Sequence, residues 1–217
     1  MRTFGIVLAA FLGATACGPL NEGSAAKGFL GALRQTVAGK TAAPQVKTPP
    51  LTQAQVDANP GAYILVTAYG GNSVASLVKA GTNGSRETWL SADGVSITLD
   101  DGIMVATRGL PRDLIAARVT GLESALAAGS GSATRVHEIL TDLDQISTEL
   151  LQCSIARKGP ETVEILGNPT TLTRVEEACK GKNLVFTNTY WLNGVGAIKR
   201  SSQVVSPATG FLQIEVP

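Results

Sequence analysis

Short runs in which apolar and polar residues alternate fill most of the chain after residue 62. This period of two is the pattern of half-buried β-strands. Four turn dipeptides separate such runs, at Asn83-Gly84, Asp93-Gly94, Asp101-Gly102 and Asn193-Gly194. Dipeptides of this type supply the positive φ angles that tight hairpins require. The pattern therefore predicts successive strands that pair in antiparallel fashion.

The individual runs define twelve candidate strands. They cover residues 63–69, 74–79, 87–91, 96–99, 103–107, 134–141, 146–157, 161–166, 172–180, 185–192, 197–205 and 211–216. Residues 127–133 are rich in Gly, Ser and Ala and are predicted to form a loop.

Helical spacing of apolar residues is confined to three segments. Residues 24–38 and 52–58 are each predicted to form a helix, and the prolines of residues 43–50 indicate an extended connector between them. A third helix is predicted for residues 111–118, because a proline suits its first turn and an aspartate follows near its positive end.

Together these elements predict a mainly β fold, a β-rich α+β class. We expect a curled antiparallel sheet or half-barrel, with a few short helices on its concave face. A chain of 217 residues with 44% hydrophobic residues is long enough to bury a core and favours one domain. We place this domain at residues 24–217.

The N-terminus has the pattern of an export signal followed by a lipid-attachment site. An apolar run at residues 4–14 follows a basic start and is too short to span a bilayer. The sequence ATACG at residues 14–18 resembles a lipobox, at which a bacterial prolipoprotein is diacylated on the cysteine and cleaved before it. We therefore expect a signal peptide at residues 1–16, a lipid anchor at Cys17 and a tether at residues 17–23. The alternative is an ordinary signal peptide that leaves Cys17 as a free thiol.

The residue after Cys17 bears on the destination of the lipoprotein. Gly18 stands there instead of Asp, which in lipoproteins resembling those of Gram-negative bacteria implies transfer to the outer membrane. Each buried lipid methylene contributes about 0.8 kcal/mol, so two or three acyl chains hold a protein far more firmly than one. The expected location is the outer membrane, with the domain lipid-anchored and facing the periplasm.

The two other cysteines, Cys153 and Cys179, form an even pair in a compartment that the leader identifies as oxidising. A disulfide between them is the leading interpretation. Two buried thiols are an alternative, as is a metal pair, although no histidine or further cysteine lies near them in sequence.

Charge and composition exclude several classes of function. The chain has 18 basic and 17 acidic residues, so it lacks the basic excess that attracts nucleic acid. His137 is the only histidine, and no Gly-x-Ser-x-Gly sequence accompanies it. We expect it to lie on a strand and face solvent. No catalytic residue, metal site or cofactor is predicted.

Other patterns have structural interpretations that outweigh the functional ones. The GSGS sequence at residues 129–132 lacks the Lys-Ser/Thr pair of a phosphate-binding loop and is interpreted as a flexible loop. Asp142 and Asp144 fit a hairpin turn better than a metal site. Trp89, Trp191, Tyr190 and Tyr63 are candidates for a sugar-stacking platform, but core packing is the default expectation for them.

The segment DGIMVATRGL at residues 101–110, followed by Asp113 and Leu114, resembles the signature of the YjbF/GfcB family of capsule and exopolysaccharide lipoproteins. The similarity spans about residues 63–217 and includes the lipobox. The residues that carry it include Trp89, Asp93, Gly94, Thr107, Arg108, Gly109, Leu110, Asp113, Asn188, Tyr190 and Gln203.

The resemblance implies an outer-membrane lipoprotein that acts, without catalysis, in secretion or assembly of group 4 capsule or a related exopolysaccharide. It implies three partners besides the membrane that holds the acyl chains: an outer-membrane β-barrel exporter, periplasmic proteins of the same pathway and the polysaccharide itself.

Two other functions remain open at this point. One is a carrier of lipid or lipoprotein, with an acyl chain enclosed by an apolar half-barrel. The other is a polysaccharide-modifying enzyme, in which Asp93, Asp101, Asp142 or Asp144 would need a second carboxylate across a cleft.

Overall fold

A computed structural model describes residues 51–68, 73–141, 143 and 145–217. The predicted signal peptide, Cys17, the tether, the helix at 24–38 and the connector at 43–50 lie outside the described residues, as do Asp142 and Asp144. Within the described part, two helices and twelve strands follow one another. They are α1 (Gln53–Ala58), β1 (Tyr63–Ala68), β2 (Val74–Asn83), β3 (Arg86–Leu90), β4 (Ser96–Asp100), β5 (Ile103–Arg108), β6 (Leu114–Thr120), α2 (Leu122–Ala128), β7 (Ser130–Leu140), β8 (Ile146–Ile165), β9 (Asn168–Lys180), β10 (Val185–Leu192), β11 (Ile198–Ser206) and β12 (Gly210–Glu215).

All twelve strands form one antiparallel sheet, in the order β5-β4-β3-β2-β1-β12-β11-β10-β9-β8-β7-β6. The first and last strands of the chain, β1 and β12, pair in the middle of this order. The two edge strands, β5 and β6, meet again where the Leu114 N–H donates to Thr107 Oγ1 at 3.0 Å. The sheet is thus a nearly closed barrel, which confirms the predicted mainly β class and curled architecture.

The four turn dipeptides lie at hairpin connections, as predicted. They join β2 to β3, β3 to β4, β4 to β5 and β10 to β11. In the β4–β5 hairpin, Asp101 and Gly102 adopt φ angles of 48° and 82°. Successive positive φ angles characterise the type I′ turn, whose twist matches that of the flanking strands.

The hairpin turns collect at the two ends of the barrel, because each strand reverses the direction of the one before it. We call the end that carries the β3–β4, β5–β6 and β11–β12 turns the motif end. We call the other end the mouth, and it carries the β2–β3, β4–β5 and β10–β11 turns together with α2.

Large side chains from many strands fill the interior of the sheet. One cluster contains Trp89, Ile64 and Met104, and a second contains Tyr190, Leu151 and three residues of α2. Because Leu122, Ala125 and Leu126 of α2 are buried there, this helix covers part of the inner face.

The predicted helix at residues 111–118 is wrong, since residues 114–120 form β6. This segment pairs with β7 almost residue by residue, from Leu114 with Ile139 to Thr120 with Thr134. The spacing of its apolar residues fits both the helical period of about 3.6 and the strand period of two. Pairing with β7 selects the strand. Asp113 does not act near a helix terminus but holds the β5–β6 turn.

The predicted loop at residues 127–133 is also wrong. Residues 122–128 form α2, and Gly129 ends it with a φ of 73° and a backbone N–H that donates to the Ala125 and Leu126 carbonyls. Strand β7 begins one residue later. The glycines of the GSGS sequence therefore serve a helix end and a strand start, and they do not form a flexible loop.

The two predicted strands at 146–157 and 161–166 are one continuous strand, β8, of 20 residues. The register with β9 shifts between Arg157 and Gly159, so the strand bulges at Lys158, just before the Gly-Pro sequence, and does not break. Pairing of β8 with β7 ends at Ala156. Beyond that point no strand of the described ranges pairs with this side of β8, and the missing N–H of Pro160 is tolerated.

Neither of the described helices has the length and apolar character that a bilayer crossing needs.

Candidate functional site

A buried ion pair lies at the centre of the inner face. Arg135 on β7 donates from Nε to Glu177 Oε1 at 2.6 Å and from Nη2 to Glu177 Oε2 at 2.9 Å. The side chains are 2% and 0% exposed. This two-bond geometry satisfies the guanidinium and the carboxylate together, which lowers the cost of removing both charges from water.

Two residues of β10 complete the environment of Glu177. The Tyr190 hydroxyl donates to Glu177 Oε2 at 2.8 Å and accepts from Arg135 Nη2 at 2.8 Å. Asn188 Nδ2 also donates to Glu177 Oε2, at 2.9 Å, while Asn188 Oδ1 accepts from the Val204 N–H at 2.9 Å. The carboxylate therefore has four hydrogen bonds, and the four side-chain groups fix one another.

Gln203 on β11 bonds across the interior of the curled sheet to β5 and to the turn that precedes it. Its amide Nε2 donates to the Gly102 carbonyl and to Ser201 Oγ, both at 2.9 Å. Its Oε1 accepts from the Met104 N–H at 2.8 Å. Because β11 is in the middle of the sheet order and β5 is at its edge, this side chain holds the curled sheet closed from inside.

The protonation states of this buried group are fixed by its surroundings. Burial raises the pKa of Tyr190 well above its ordinary value, so the phenol stays neutral. Burial opposes the charge of Arg135, but Tyr190 and Glu177 beside it raise its pKa overall. Tyr190 therefore stays neutral and Arg135 stays charged.

The prediction that His137 faces solvent is wrong. Its side chain lies on the inner face of β7 and is 1% exposed, with its ring stacked on Phe186 at 5.7 Å between centroids. Burial, with a further contribution from Arg135, lowers its pKa to about 3. Neither ring nitrogen has a hydrogen-bond partner among the residues that the structure describes. Ala133, Arg135 and His137 alternate along β7, and all three side chains point to the inner face. The sequence analysis placed His137 on the outer, solvent-facing side of this strand.

The residues of the family signature build the β5–β6 turn at the motif end. Asp113 accepts from Thr107 Oγ1 at 2.7 Å, from the Gly109 N–H at 2.9 Å and from the Leu110 N–H at 3.2 Å. Gly109 has a φ of 89°, which few residues other than glycine adopt without strain. The buried carboxylate therefore binds the donors of the turn that surrounds it.

Arg108 binds backbone carbonyls and not the Asp113 carboxylate. Its guanidinium donates to backbone carbonyls, including those of Thr107 and, at 3.1 Å, Ile115. Thr107 belongs to β5 and Ile115 to β6, so this side chain spans the seam where the barrel closes.

Two further turns pack around the β5–β6 turn. In the β3–β4 turn, Ser91 Oγ donates to Asp93, and the Gly94 N–H donates to the Ser91 carbonyl. Gly109 lies directly against this turn, since a Cβ on Gly109 would be 3.4 Å from the Val95 Cα. Family residues far apart in sequence thus meet at the motif end.

The β11–β12 turn is tied to the same place. Ser206 and Thr209 each donate a side-chain hydroxyl to the Arg112 carbonyl, at 2.8 and 3.0 Å. At the motif end, the β11–β12 turn is therefore hydrogen-bonded to the β5–β6 turn, and the β3–β4 turn packs against it.

Cys153 and Cys179 are joined by a disulfide between β8 and β9. Both are buried, and they lie within 4.8 Å of a Glu177 carboxylate oxygen, a grouping that resembles a set of metal ligands. A metal does not fit there, because the sulfurs are bonded to each other and Glu177 is occupied by Arg135, Asn188 and Tyr190.

The aromatic platform is contradicted by burial. Trp89 and Tyr190 are 2% and 0% exposed, and Trp191 is buried in a small cluster with Val163, Ile165 and Leu172. Only Tyr63 is partly exposed. Trp89, Tyr190 and Trp191 are therefore core residues, which was the default expectation.

The candidate catalytic aspartates that the structure describes lie in turns. Asp93 is bonded to Ser91 in the β3–β4 turn, and Asp101 is in the β4–β5 turn. Sequence reasoning missed Arg135 and Glu177, whose partnership joins strands that are 42 residues apart. One signal for their burial is present in the sequence. Arg135 lies two residues from Ala133 on β7, and Glu177 lies two residues from Cys179 on β9, so each shares the inward face of its strand with a buried residue.

Comparison with known proteins agrees with this picture of a β-rich lipoprotein. Similarity in fold is found to the crystal structure of the hypothetical lipoprotein YmcC from Escherichia coli K12, with a TM-score of 0.66, 18% identity, and coverage of 90% of this chain and 96% of that one. No curated protein matches the sequence. Residues 32–216 match the family described as group 4 capsule polysaccharide lipoprotein GfcB, YjbF. Because this match covers more than half of the chain, the protein belongs to the YjbF family of capsule polysaccharide lipoproteins.

Proposed function

We propose that the protein is anchored in the outer membrane through Cys17, faces the periplasm and acts as a non-enzymatic accessory in secretion or assembly of capsule or a related exopolysaccharide. Family membership supports the link to capsule polysaccharide and to a lipoprotein. The lipobox-like sequence at residues 14–18 and Gly18 support the anchor and its destination.

The observation that carries the non-enzymatic part is how the signature residues are used. Asn188, Tyr190 and Gln203 are bonded to one another or to the backbone in the interior. Thr107, Gly109 and Asp113 are bonded within one turn. Catalysis needs side-chain groups that can contact a substrate. The signature residues instead use their polar groups to hold the barrel and its turns together, which favours a structural role.

The two alternatives are less well supported. A carrier of acyl chains needs an apolar interior with room for them, but Trp89, Tyr190 and the Arg135–Glu177 pair occupy the inner face. A polysaccharide-modifying enzyme needs two carboxylates across a cleft. Asp93 is instead bonded within its own turn. Asp101 lines a cleft together with Glu123, but both carboxylates are exposed, whereas the general acid of such an enzyme needs a sheltered environment that raises its pKa.

The proposed partners are an outer-membrane β-barrel exporter, periplasmic proteins of the same pathway and the polysaccharide. A lipid-anchored scaffold meets such partners in two dimensions, which raises their effective concentration.

The test is deletion of the gene in its native host, with the amount of surface polysaccharide as the readout. We expect a large loss that is restored by the wild-type gene. The Asp93→Asn variant should restore it as well as wild type does, since a non-enzymatic protein does not need this carboxylate as a catalyst. Unchanged surface polysaccharide after deletion would contradict the proposal.

A further inference from the structure

The mouth of the barrel contains an open cleft that the proposed function does not use. The β2–β3, β4–β5 and β10–β11 turns and helix α2 surround a cavity of about 540 Å³. A second cavity of about 400 Å³ adjoins it between β5 and β6. Both are lined by Ser85, Asp101, Ile103 and Glu123, so they form one continuous groove. Cavities of this size accommodate small organic ligands.

The floor of this mouth cleft is apolar, with one polar exception. Leu99, Ile103 and Ile198 are among its lining residues, together with Trp89. Trp89 is 98% buried, since 2% of it is exposed, and its Nε1 has no hydrogen-bond partner within the described part of the chain. A buried indole N–H without an acceptor is energetically unfavourable. Because Trp89 lines the cleft, a ligand oxygen that reached this N–H would supply the missing acceptor.

The rim of the cleft carries free carboxylates. Asp101 and Glu123 have no ion-pair or side-chain hydrogen-bond partner among the described residues, whereas the other charges at the cleft are compensated. The compensated pairs are Arg86 with Asp100, Arg118 with Glu138, and Lys79 with Glu87.

The uncompensated charge in the cleft is consequently negative. Carboxylates accept hydrogen bonds from hydroxyl groups, and they repel ligands that carry carboxylates or phosphates. An apolar floor, acceptors at the rim and a single buried donor match a sugar ring, which has apolar C–H faces and hydroxyl groups at its edge.

We propose that the mouth cleft binds a short stretch of uncharged glycan, a few hexose or N-acetylhexosamine residues long. This inference rests on the proposed role in polysaccharide secretion or assembly, and it names the chemistry that the protein contacts. The cleft discriminates against uronic acids and other anionic sugars, because Asp101 and Glu123 face the ligand without compensating cations.

The direct test is NMR titration of the acylated full-length chain, labelled with ¹⁵N and held in detergent micelles. The probes are a neutral hexose trisaccharide, the N-acetylglucosamine trisaccharide and trigalacturonate. Trp89 and Trp191 are the two tryptophans of the sequence, and a Trp191→Phe variant assigns their Nε1–H resonances. We expect at least one neutral probe to shift the Trp89 resonance, with trigalacturonate binding at least tenfold more weakly.

Three variants separate binding in the cleft from a general effect on the fold. Ala127→Phe fills the cleft from an exposed position on α2, and it should abolish the shift without lowering the unfolding temperature. The double variant Asp101→Asn/Glu123→Gln should weaken the binding of the neutral trisaccharides about three- to tenfold. It should also reduce the difference in affinity between these trisaccharides and trigalacturonate. Asn is chosen because it tolerates the positive φ of Asp101. Glu164→Gln, an exposed carboxylate outside the cleft lining, is the matched control and should bind as wild type does.

The inference is overturned if no neutral probe shifts the Trp89 resonance, if Ala127→Phe leaves the shift intact, or if trigalacturonate binds as tightly as the neutral probes. These outcomes leave the proposed function standing as long as gene deletion still removes surface polysaccharide. Conversely, deletion without effect on surface polysaccharide would contradict the proposed function whatever the probes do.

Discussion

Arg135 on β7 and Glu177 on β9 form a two-bond ion pair across the intervening strand β8, with 2.6 Å between Nε and Oε1. Both side chains are excluded from water. The pair connects β7 to β9, and hydrogen bonds from Asn188 and Tyr190 to Glu177 add β10. The stability of the half of the barrel around β7–β10 therefore depends on a charged pair and not on apolar packing alone.

Removing one partner of this pair is expected to be strongly destabilising. Glu177→Gln leaves the guanidinium of Arg135 buried without a counter-charge, at a cost of about 3–5 kcal/mol in the free energy of unfolding. Urea denaturation followed by circular dichroism measures this cost. The matched control is Glu176→Gln, at a neighbouring position whose side chain is partly exposed and pairs with Lys158 and Arg174. It should cost about 1 kcal/mol or less, and equal effects of the two variants would refute the interpretation.

The β5–β6 turn is expected to depend on Asp113. Asp113→Ala removes the acceptor of three hydrogen bonds, so we expect a loss of about 2–4 kcal/mol in the free energy of unfolding. Hydrogen exchange of the Gly109 and Leu110 amides should accelerate as well. Asp93→Ala, in the neighbouring β3–β4 turn, removes the single bond with Ser91 and should cost less than half as much. A milder effect of Asp113→Ala than of Asp93→Ala would show that the turn is held in another way.

His137 should make the protein less stable as the pH falls. Its pKa is about 3 in the folded protein and about 6.5 in the unfolded chain. Between these two values the unfolded chain binds a proton that the folded protein does not, so the contribution is fully present above pH 6.5 and is lost progressively towards pH 3. His137→Phe keeps the stacking on Phe186 and removes the titration. Thermal unfolding from pH 7.5 to 4 should therefore show a flatter decline for this variant, and identical declines would contradict the burial of a neutral imidazole.

The disulfide should contribute through the loop that it closes. Cys153 and Cys179 are 26 residues apart, and the chain-entropy model gives about 3.5 kcal/mol for a loop of that size. The double variant Cys153→Ala/Cys179→Ala and the reduced wild-type protein should lose similar amounts in urea denaturation. Full stability under reducing conditions would mean that the bond is not a determinant of the fold.

Much of the sheet was predictable because local chemistry decides it. The Asn83-Gly84, Asp93-Gly94, Asp101-Gly102 and Asn193-Gly194 dipeptides each specify a turn, and alternation specifies the strands between them. The segment at 114–120 was mistaken for a helix because its apolar spacing fits both periods. Pairing with β7 decides the outcome, and a single sequence contains no information about that pairing.

The interior polar group was not predictable, for a different reason. A charged side chain at an inward position such as Arg135 is expected to lie on the surface unless its partner is known. That partner, Glu177, is 42 residues away and is brought near by the disulfide hairpin of β8 and β9. The same argument explains His137, which shares the inward face of β7. The signature residues Asn188, Tyr190 and Gln203 were identified by resemblance, but their contacts with Glu177 and β5 required the fold.

The most direct test of the account as a whole concerns its lipid anchor. Surface polysaccharide should be measured in the deletion strain expressing either the wild-type gene or Cys17→Ser, with the folded protein quantified in each fraction. We expect Cys17→Ser to give a protein that incorporates no labelled palmitate, is absent from outer-membrane fractions and fails to restore surface polysaccharide. Restoration to the wild-type level by Cys17→Ser, with the protein free of membranes, would contradict a lipid-anchored accessory.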